Sequence, residues 1–237
     1  MEKGKLYLIP NTLGSTDLSK ILPQGNLDII MTIKDFIVED LKMARRFLSK
    51  AGWRGKIETL NFYVLNEHSR LKEIKDHLQR AENGHHIGLL SDAGTPCVAD
   101  PGADIVAMAH KKGIQIVPLV GPSSILLSLM ASGFNGQNFS FLGYLPRDRK
   151  PRENTIKDLE KKSYKLNQTQ IFIEAPYRNN HMLESLIKTC APTTKICVAR
   201  DITLEEELII SQTVAEWRQQ KQLPELHKRN TIFLLYK

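Results

Sequence analysis

Twelve consecutive residues carry two carboxylates, two hydroxyls and two glycines: Ser91-Asp92-Ala93-Gly94-Thr95-Pro96-Cys97-Val98-Ala99-Asp100-Pro101-Gly102. The apolar run Ile87 to Leu90 before them reads as a buried strand. The apolar face Ile105, Val106, Met108, Ala109 after them reads as a helix, with Asp100 as its N-cap and Pro101 at its first position. A glycine among small residues after a strand lets a ligand approach the backbone, and in open α/β sheets ligands bind beyond the carboxyl ends of strands. The same pattern also fits a tight connection with no ligand. Asp92 is either a proton-handling carboxylate or the anchor of an Asx turn that braces the loop.

Alternating strands and helices must position that loop. Lys5–Pro10 reads as a strand ending in the polar loop Asn11–Thr16, Leu27–Ile33 as a second strand, and Phe36–Ala51 as a helix capped by Asp35 and stopped by Gly52. Ile57–Tyr63 is a third strand, Glu67–Glu82 a helix, Asn83-Gly84 a turn into the strand before the loop, and Ile114–Leu119 a fifth strand. Beyond Val120, Gly121-Pro122-Ser123-Ser124 opens an apolar helix, Ile125–Ala131. Strands at Phe139–Leu142, Gln170–Glu174, Lys195–Ala199, Glu207–Gln212 and Thr231–Tyr236 follow, with helices at Asn179–Thr189 and Val214–Gln220 and a basic segment at Arg147–Lys165. The first half predicts a mainly parallel sheet with helices on both faces, and the closely spaced late strands predict a mixed sheet. A boundary near Leu119 divides the chain into α/β domains over 1–119 and 120–237.

The 237 residues suffice for a proper core, and the charged fraction of 25% is that of a globular chain. A net charge of +7 suits an anionic partner such as RNA. The basic segment Arg147–Lys165 either steers RNA or is a solvated helix face, and no aromatic stacking platform accompanies it. Three scattered cysteines, Cys97, Cys190 and Cys197, form no disulfide framework and share no ligand spacing with the histidines, so no metal is expected. Neither a signal-peptide core nor an apolar run of membrane-spanning length is seen, so a cytoplasmic protein with no membrane partner is expected. The absence of a Walker loop and of a dinucleotide fingerprint excludes the common NTPase and nicotinamide classes.

The loop Ser91–Gly102 matches S-D-A-G-T-P-x-x-x-D-P-G at every specified position. With Val120-Gly121-Pro122-Ser123-Ser124, Phe141-Leu142-Gly143-Tyr144-Leu145-Pro146, Ile173-Glu174-Ala175-Pro176-Tyr177-Arg178 and Ala199-Arg200-Asp201-Ile202-Thr203, it resembles the tetrapyrrole (corrin/porphyrin) methylase superfamily. The resemblance is closest to the ribosomal small-subunit RNA 2′-O-ribose methyltransferases, and it spans nearly the whole chain. It implies a class III methyltransferase fold, two α/β domains with S-adenosylmethionine in the cleft between them. By the same resemblance Pro10, Asp92, Ala93, Gly94, Thr95, Val98, Ser123, Ser124, Glu174 and Ala175 contact that cofactor. Two departures concern the acceptor side: Pro10–Thr16 keeps only the glycine and the preceding apolar residue of A-T-P-I-G-N-L, and Glu39-Asp40-Leu41-Lys42 keeps only the carboxylates of E-D-T-R; elsewhere, Arg229-Asn230 stands for G-E before the last strand. The RNA enzymes also generally carry a C-terminal extension not present in these 237 residues.

Methyl transfer from a sulfonium is an in-line displacement, promoted chiefly by bringing donor and acceptor together. A ribose hydroxyl also benefits from a base or polarising group. The candidates for that role are Glu39, Asp40, Asp92, Asp100 and Glu174, with Asp92 first and Glu39 beside it, Asp40 also on the substrate side and Asp100 also readable as an N-cap. Glu39 and Asp40 are expected in the first turn of a helix, where acids are also favoured for structural reasons. Arg178 and Arg200, which match family arginines, suit phosphate or carboxylate partners. The resulting expectation is an S-adenosylmethionine-dependent RNA methyltransferase acting on the ribosomal RNA or the small ribosomal subunit, and a homodimer. Its rivals are a methylase of a tetrapyrrole or other small metabolite and a non-catalytic cofactor-binding relative.

Overall fold

The computed structural model describes residues 2–65 and 77–237. The chain divides into two compact units, Met1–Ser123 and Ser124–Lys237.

In the first unit, strands β1 (Lys5–Ile9), β2 (Asp35–Val38), β3 (Asn61–Val64), β4 (Ile87–Leu90) and β5 (Gln115–Pro118) form a wholly parallel sheet in the order β3-β2-β4-β1-β5. Helices α1 (Gln24–Ile30), α2 (Leu41–Leu48), α3 (Gln79–Glu82) and α4 (Ala103–Lys111) accompany it. Alternate side chains of β2 and β4 face opposite cores. Phe36, Val38 and Leu90 pack with Ile30, Ala44 and Leu48, whereas Ile37, Ile87 and Leu89 pack with Ala81, Ile105 and Ala109. Helices therefore cover both faces, as a parallel sheet requires. The crossover after β1 leads to β2 on one side, and the crossover after β4 leads past β1 to β5 on the other. The adjacent carboxyl ends of β1 and β4 are thus a topological switch point, where a ligand crevice is expected.

In the second unit the sheet is mixed: β6 (Phe139–Tyr144), β7 (Thr169–Ile173), β8 (Lys195–Arg200), β9 (Leu208–Thr213) and β10 (Thr231–Tyr236) lie in the order β6-β7-β10-β8-β9. Only β6 and β7 run parallel, and β10 is antiparallel to both its neighbours. Helices α6 (Arg149–Leu166), α7 (Asn179–Thr189) and α8 (Val214–Gln219) bury Ile156, Leu159, Met182, Leu186 and Trp217 against Phe172, Val198 and Phe233. Helix α5 (Ser124–Ser132) packs on β9 and β10.

Four expectations about elements are corrected. Leu27–Ile33 is not a strand, because the helix Gln24–Ile30 occupies it and buries Asn26 and Ile30 four residues apart. Asp35 does not cap a helix over Phe36–Ala51. Asp35–Val38 is instead a fully buried strand, and the helix begins at Leu41, capped by Asp40, whose carboxylate accepts from Met43 N at 2.8 Å. Ile57–Thr59 is a 3₁₀ turn, with the strand starting at Asn61. Helix α4 starts at Ala103 with Gly102 at its N-cap rather than at Pro101 after Asp100. Of the helix expected over Glu67–Glu82, residues 67–76 lie outside the described residues, and Gln79–Glu82 is helical.

Candidate active site

The carboxyl edge of the parallel sheet gathers most of the first unit's candidates. Pro10 and Asn11 follow β1, Glu39 and Asp40 follow β2, and Ser91 to Val98 follow β4. Asn11 stitches the two central loops together. Its amide N–H donates to Gly94 O at 2.9 Å, and its buried side-chain amide donates to Ser91 O at 3.3 Å and Asp92 O at 3.1 Å. Gly94 sits at φ +68°, where an L side chain is strained, and a Cβ there would crowd Leu13 at 3.2 Å. Gly121 lies against Pro10 so closely that a Cβ would fall 2.3 Å from the proline ring.

Asp92 is only partly shielded from solvent. Its carboxylate accepts from the Asp40 amide N–H at 3.3 Å, so it reaches the loop after β2 rather than closing an Asx turn in its own loop. Desolvation, followed by repulsion from Asp40 and Asp100, pushes its carboxyl above the ordinary value, against the lowering effect of the Asp40 hydrogen bond. Asp100 is the brace instead: one oxygen accepts from both Cys97 N and Gly102 N at 2.8 Å. Cys97 and Ala99, at φ 67° and 59°, show how sharply that turn is wound. Ala93 and Val98 are exposed and Thr95 is half-buried. Glu39 precedes α2 and Asp40 caps it, so neither occupies its first turn.

Ser123 closes the first unit, and Ser124 opens α5 in the second. In the second unit, Glu174, Arg178, Arg200 and Asp201 collect where β7 and β8 end and β10 begins. The Glu174 side chain is fully buried. Its Oε1 accepts from Arg178 Nη2 at 2.5 Å and from Ala175 N at 2.7 Å, leaving Oε2 buried with no partner. Arg200 donates to the carbonyls of Glu225 and Glu206 at 3.0 Å and pairs with Asp201 at 3.6 Å, and Arg229 reaches the same carboxylate at 3.3 Å. Both arginines are therefore engaged within their own unit. Residue patterning missed Asn11, which is legible only as a polar residue directly after a buried strand, and Asp201, whose φ of +50° leaves no trace in local pattern. Among the described residues no group of three or more His, Cys, Asp or Glu could hold a metal ion, and no helix is long and apolar enough to cross a membrane.

The family described as Tetrapyrrole (Corrin/Porphyrin) Methylases matches residues 15–217. The chain belongs to this family. It is an S-adenosylmethionine-dependent methyltransferase of two α/β sheets, the class III architecture. A protein of Vibrio cholerae serotype O1 named Ribosomal RNA small subunit methyltransferase I is 30% identical over 89% of this chain and 69% of its own length. Relatives of the same name in Bacillus subtilis and Thermotoga maritima are 30% and 29% identical, each over 94% of this chain, and are themselves covered to 73% and 96%. The fold is also that of the methyltransferase CobJ, with a TM-score of 0.64 at 20% identity over 99% of this chain and 94% of that one. Uroporphyrin-III C-methyl transferase from Thermus thermophilus, solved with S-adenyl homocysteine, superposes with a TM-score of 0.56 at 14% identity over 99% and 98%.

Proposed function

We propose that this methyltransferase modifies small-subunit ribosomal RNA, with a ribose 2′-hydroxyl as the acceptor. The observation that carries this reading is the likeness to the ribosomal RNA methyltransferases, which reaches 94% of this chain and 96% of the Thermotoga maritima relative.

The residues present fit S-adenosylmethionine. A glycine turn at the switch point offers backbone polar groups, and the orphaned Glu174 Oε2 can accept from an amino or hydroxyl group. Pro10, Ala93 to Thr95, Val98 and Ser123 in the first unit, with Ser124, Glu174 and Ala175 in the second, are the proposed holders of the cofactor, whose sulfonium supplies the methyl group. Asn11 fixes Asp92 by its main chain, and the Asp40 amide fixes it by its side chain. Held so, Asp92 takes the hydroxyl proton from the acceptor as the oxygen attacks, and its raised proton affinity makes it a stronger base than an exposed carboxylate. Glu39 and Asp40 border the acceptor side. Arg178 and Arg200 then act chiefly by shaping the second unit, and only indirectly on substrate. The two units serve as the two domains, and the active species is a cytoplasmic homodimer, for which light scattering should give twice the mass of the single chain.

Two experiments test the reading. Calorimetry should detect S-adenosylmethionine binding that Ser124→Trp abolishes. Labelled cofactor, offered with protein-free ribosomal RNA, intact small subunits and a metabolite extract from a strain lacking the gene, should label RNA. A second reading, methylation of a tetrapyrrole or related metabolite, follows the fold shared with CobJ. Label confined to the metabolite fraction would establish it instead.

A further inference from the structure

Helix α2 leaves the loop that holds Asp92. Its cap residue Asp40 donates its amide to the Asp92 carboxylate, and the helix then runs from Leu41 to Leu48 and on through a π turn over Ser49–Trp53. Ala44, Phe47, Leu48 and Ala51 form its buried face. The opposite face lines an open hollow of about 760 Å³, and Lys42, Arg45, Arg46 and Lys50 all border it. The acid that shares this lining, Asp40, has one oxygen committed to capping Met43 N. Glu58 reaches Arg45 at 3.6 Å across an exposed gap, and the Arg45 guanidinium also lies over the Phe62 ring at 5.6 Å. Among the described residues Lys42, Arg46 and Lys50 have no ion-pair partner.

Lys42 and Arg46 stand four residues apart on the α-helix, a rise of about 6 Å along one side, and Lys50 follows four residues on in the π turn and borders the same hollow. A row of unpaired cations at that spacing suits the regularly repeated charges of a phosphodiester backbone. Isolated carboxylates would not need a row. Only Leu41 and Met43 add exposed apolar surface, at 37% and 43%, which is too little for a protein or lipid partner to bury. The row begins beside Asp92, so a strand lying along it brings its own sugar hydroxyls to the carboxylate.

We infer that the exposed face of α2 is the docking site for the RNA backbone, with Lys42, Arg46 and Lys50 gripping phosphates next to the nucleotide presented to Asp92. This site rests on the reading of RNA as the acceptor. It is separate from the residues assigned to the cofactor, and it accounts for acceptor recognition by cations where the family's substrate-side pattern is altered.

The test compares two triple variants of the full chain. K42Q/R46Q/K50Q empties the α2 row, and K157Q/K161Q/K165Q removes the same charge from the solvated face of α6. Binding of protein-free small-subunit ribosomal RNA is measured between 50 and 200 mM salt, together with kcat and KM for methyl transfer and calorimetry with S-adenosylmethionine. The α2 triple should raise KM for RNA on the order of tenfold or more and make the log-affinity against log-salt slope shallower by about two. Its kcat and cofactor affinity should stay at wild-type values, and the α6 triple should change binding far less. Equal losses in both triples, or a wild-type KM and slope in the α2 triple, overturn the site while leaving RNA as the acceptor. A wild-type chain that neither binds nor labels this RNA overturns both readings. Should the α2 triple lose cofactor affinity as well, the single variants K50Q and R46Q, each expected to flatten the slope by about 0.7, replace it.

Discussion

Among the described residues Asp92 loses solvation without gaining a cation. Desolvation raises its proton affinity first, and the nearby Asp40 and Asp100 carboxylates add to the effect. The sign of the pH dependence follows. The proposed base is active only when deprotonated, so on that proposal kcat/KM should fall on acidification at a pH above the ordinary carboxylate value of 3.8. Asp92→Asn keeps an oxygen for the Asp40 amide but cannot take a proton, so rapid-quench assays should show kcat lower by about 10²–10⁴ with that acidic limb gone. Stability moves the other way. Because the folded chain holds this proton more tightly than the unfolded chain, the contribution of Asp92 declines as pH rises from 3.8 through the folded value. Asp92→Asn should therefore be no less stable than wild type at neutral pH, as urea midpoints at pH 4 and pH 7 would show. Glu174 differs in having a cation beside it. Its fully buried carboxylate faces a guanidinium that is itself only 20% exposed, so Glu174→Gln leaves Arg178 without its counter-charge. A loss of about 3 kcal/mol in urea unfolding is expected. The thiols are inert by burial: Cys97 is pushed up to about 11 and Cys197 to about 12, so alkylation in the native state at pH 7 should be slow.

At the scale of elements, two glycines limit what the loops can become. Gly121→Ala drives a methyl into the Pro10 ring, and because both are backbone-fixed the carboxyl end of β1 must shift. A destabilisation of about 1–3 kcal/mol with weakened cofactor binding is expected, read from thermal unfolding and calorimetry. Asp40→Ala should cost about 1 kcal/mol through the lost cap alone, since the hydrogen bond to Asp92 comes from the main chain. The elements that sequence misplaced share a cause. Asp35–Val38 is buried on both faces, so its apolar residues run together and merge with the helical face beyond Asp40. Leu27–Ile33 has the β-branched content of a strand, but tertiary packing makes it a helix with two buried positions. By contrast Asn179–Thr189 and Thr231–Tyr236 fall where their own periodicity puts them. The loop after β4 was legible because its turn chemistry is local. The bracing of Asp92 by Asn11 and Asp40 was not, since both partners are remote in sequence.

At the scale of the molecule, a parallel unit and a mixed unit follow one another, and the change from long crossovers to short connections marked that in the sequence. Under the proposed cofactor reading, S-adenosylmethionine binding should stabilise the folded state by linkage. At about a hundredfold excess over the dissociation constant the gain is about 2.7 kcal/mol, and Ser124→Trp should lose it. The order β6-β7-β10-β8-β9 has a consequence for biosynthesis. The last strand in the chain, Thr231–Tyr236, is the middle strand of its sheet, and Ile173 and Ala199 both find their partner in Ile232. On a translating ribosome the β6-β7 pair and the β8-β9 pair must wait, unjoined and with edges open, until residue 236 emerges. The parallel sheet is complete once Pro118 is out. A nascent chain stalled after Arg229 should therefore show a protease-resistant first unit followed by a cleavable second one.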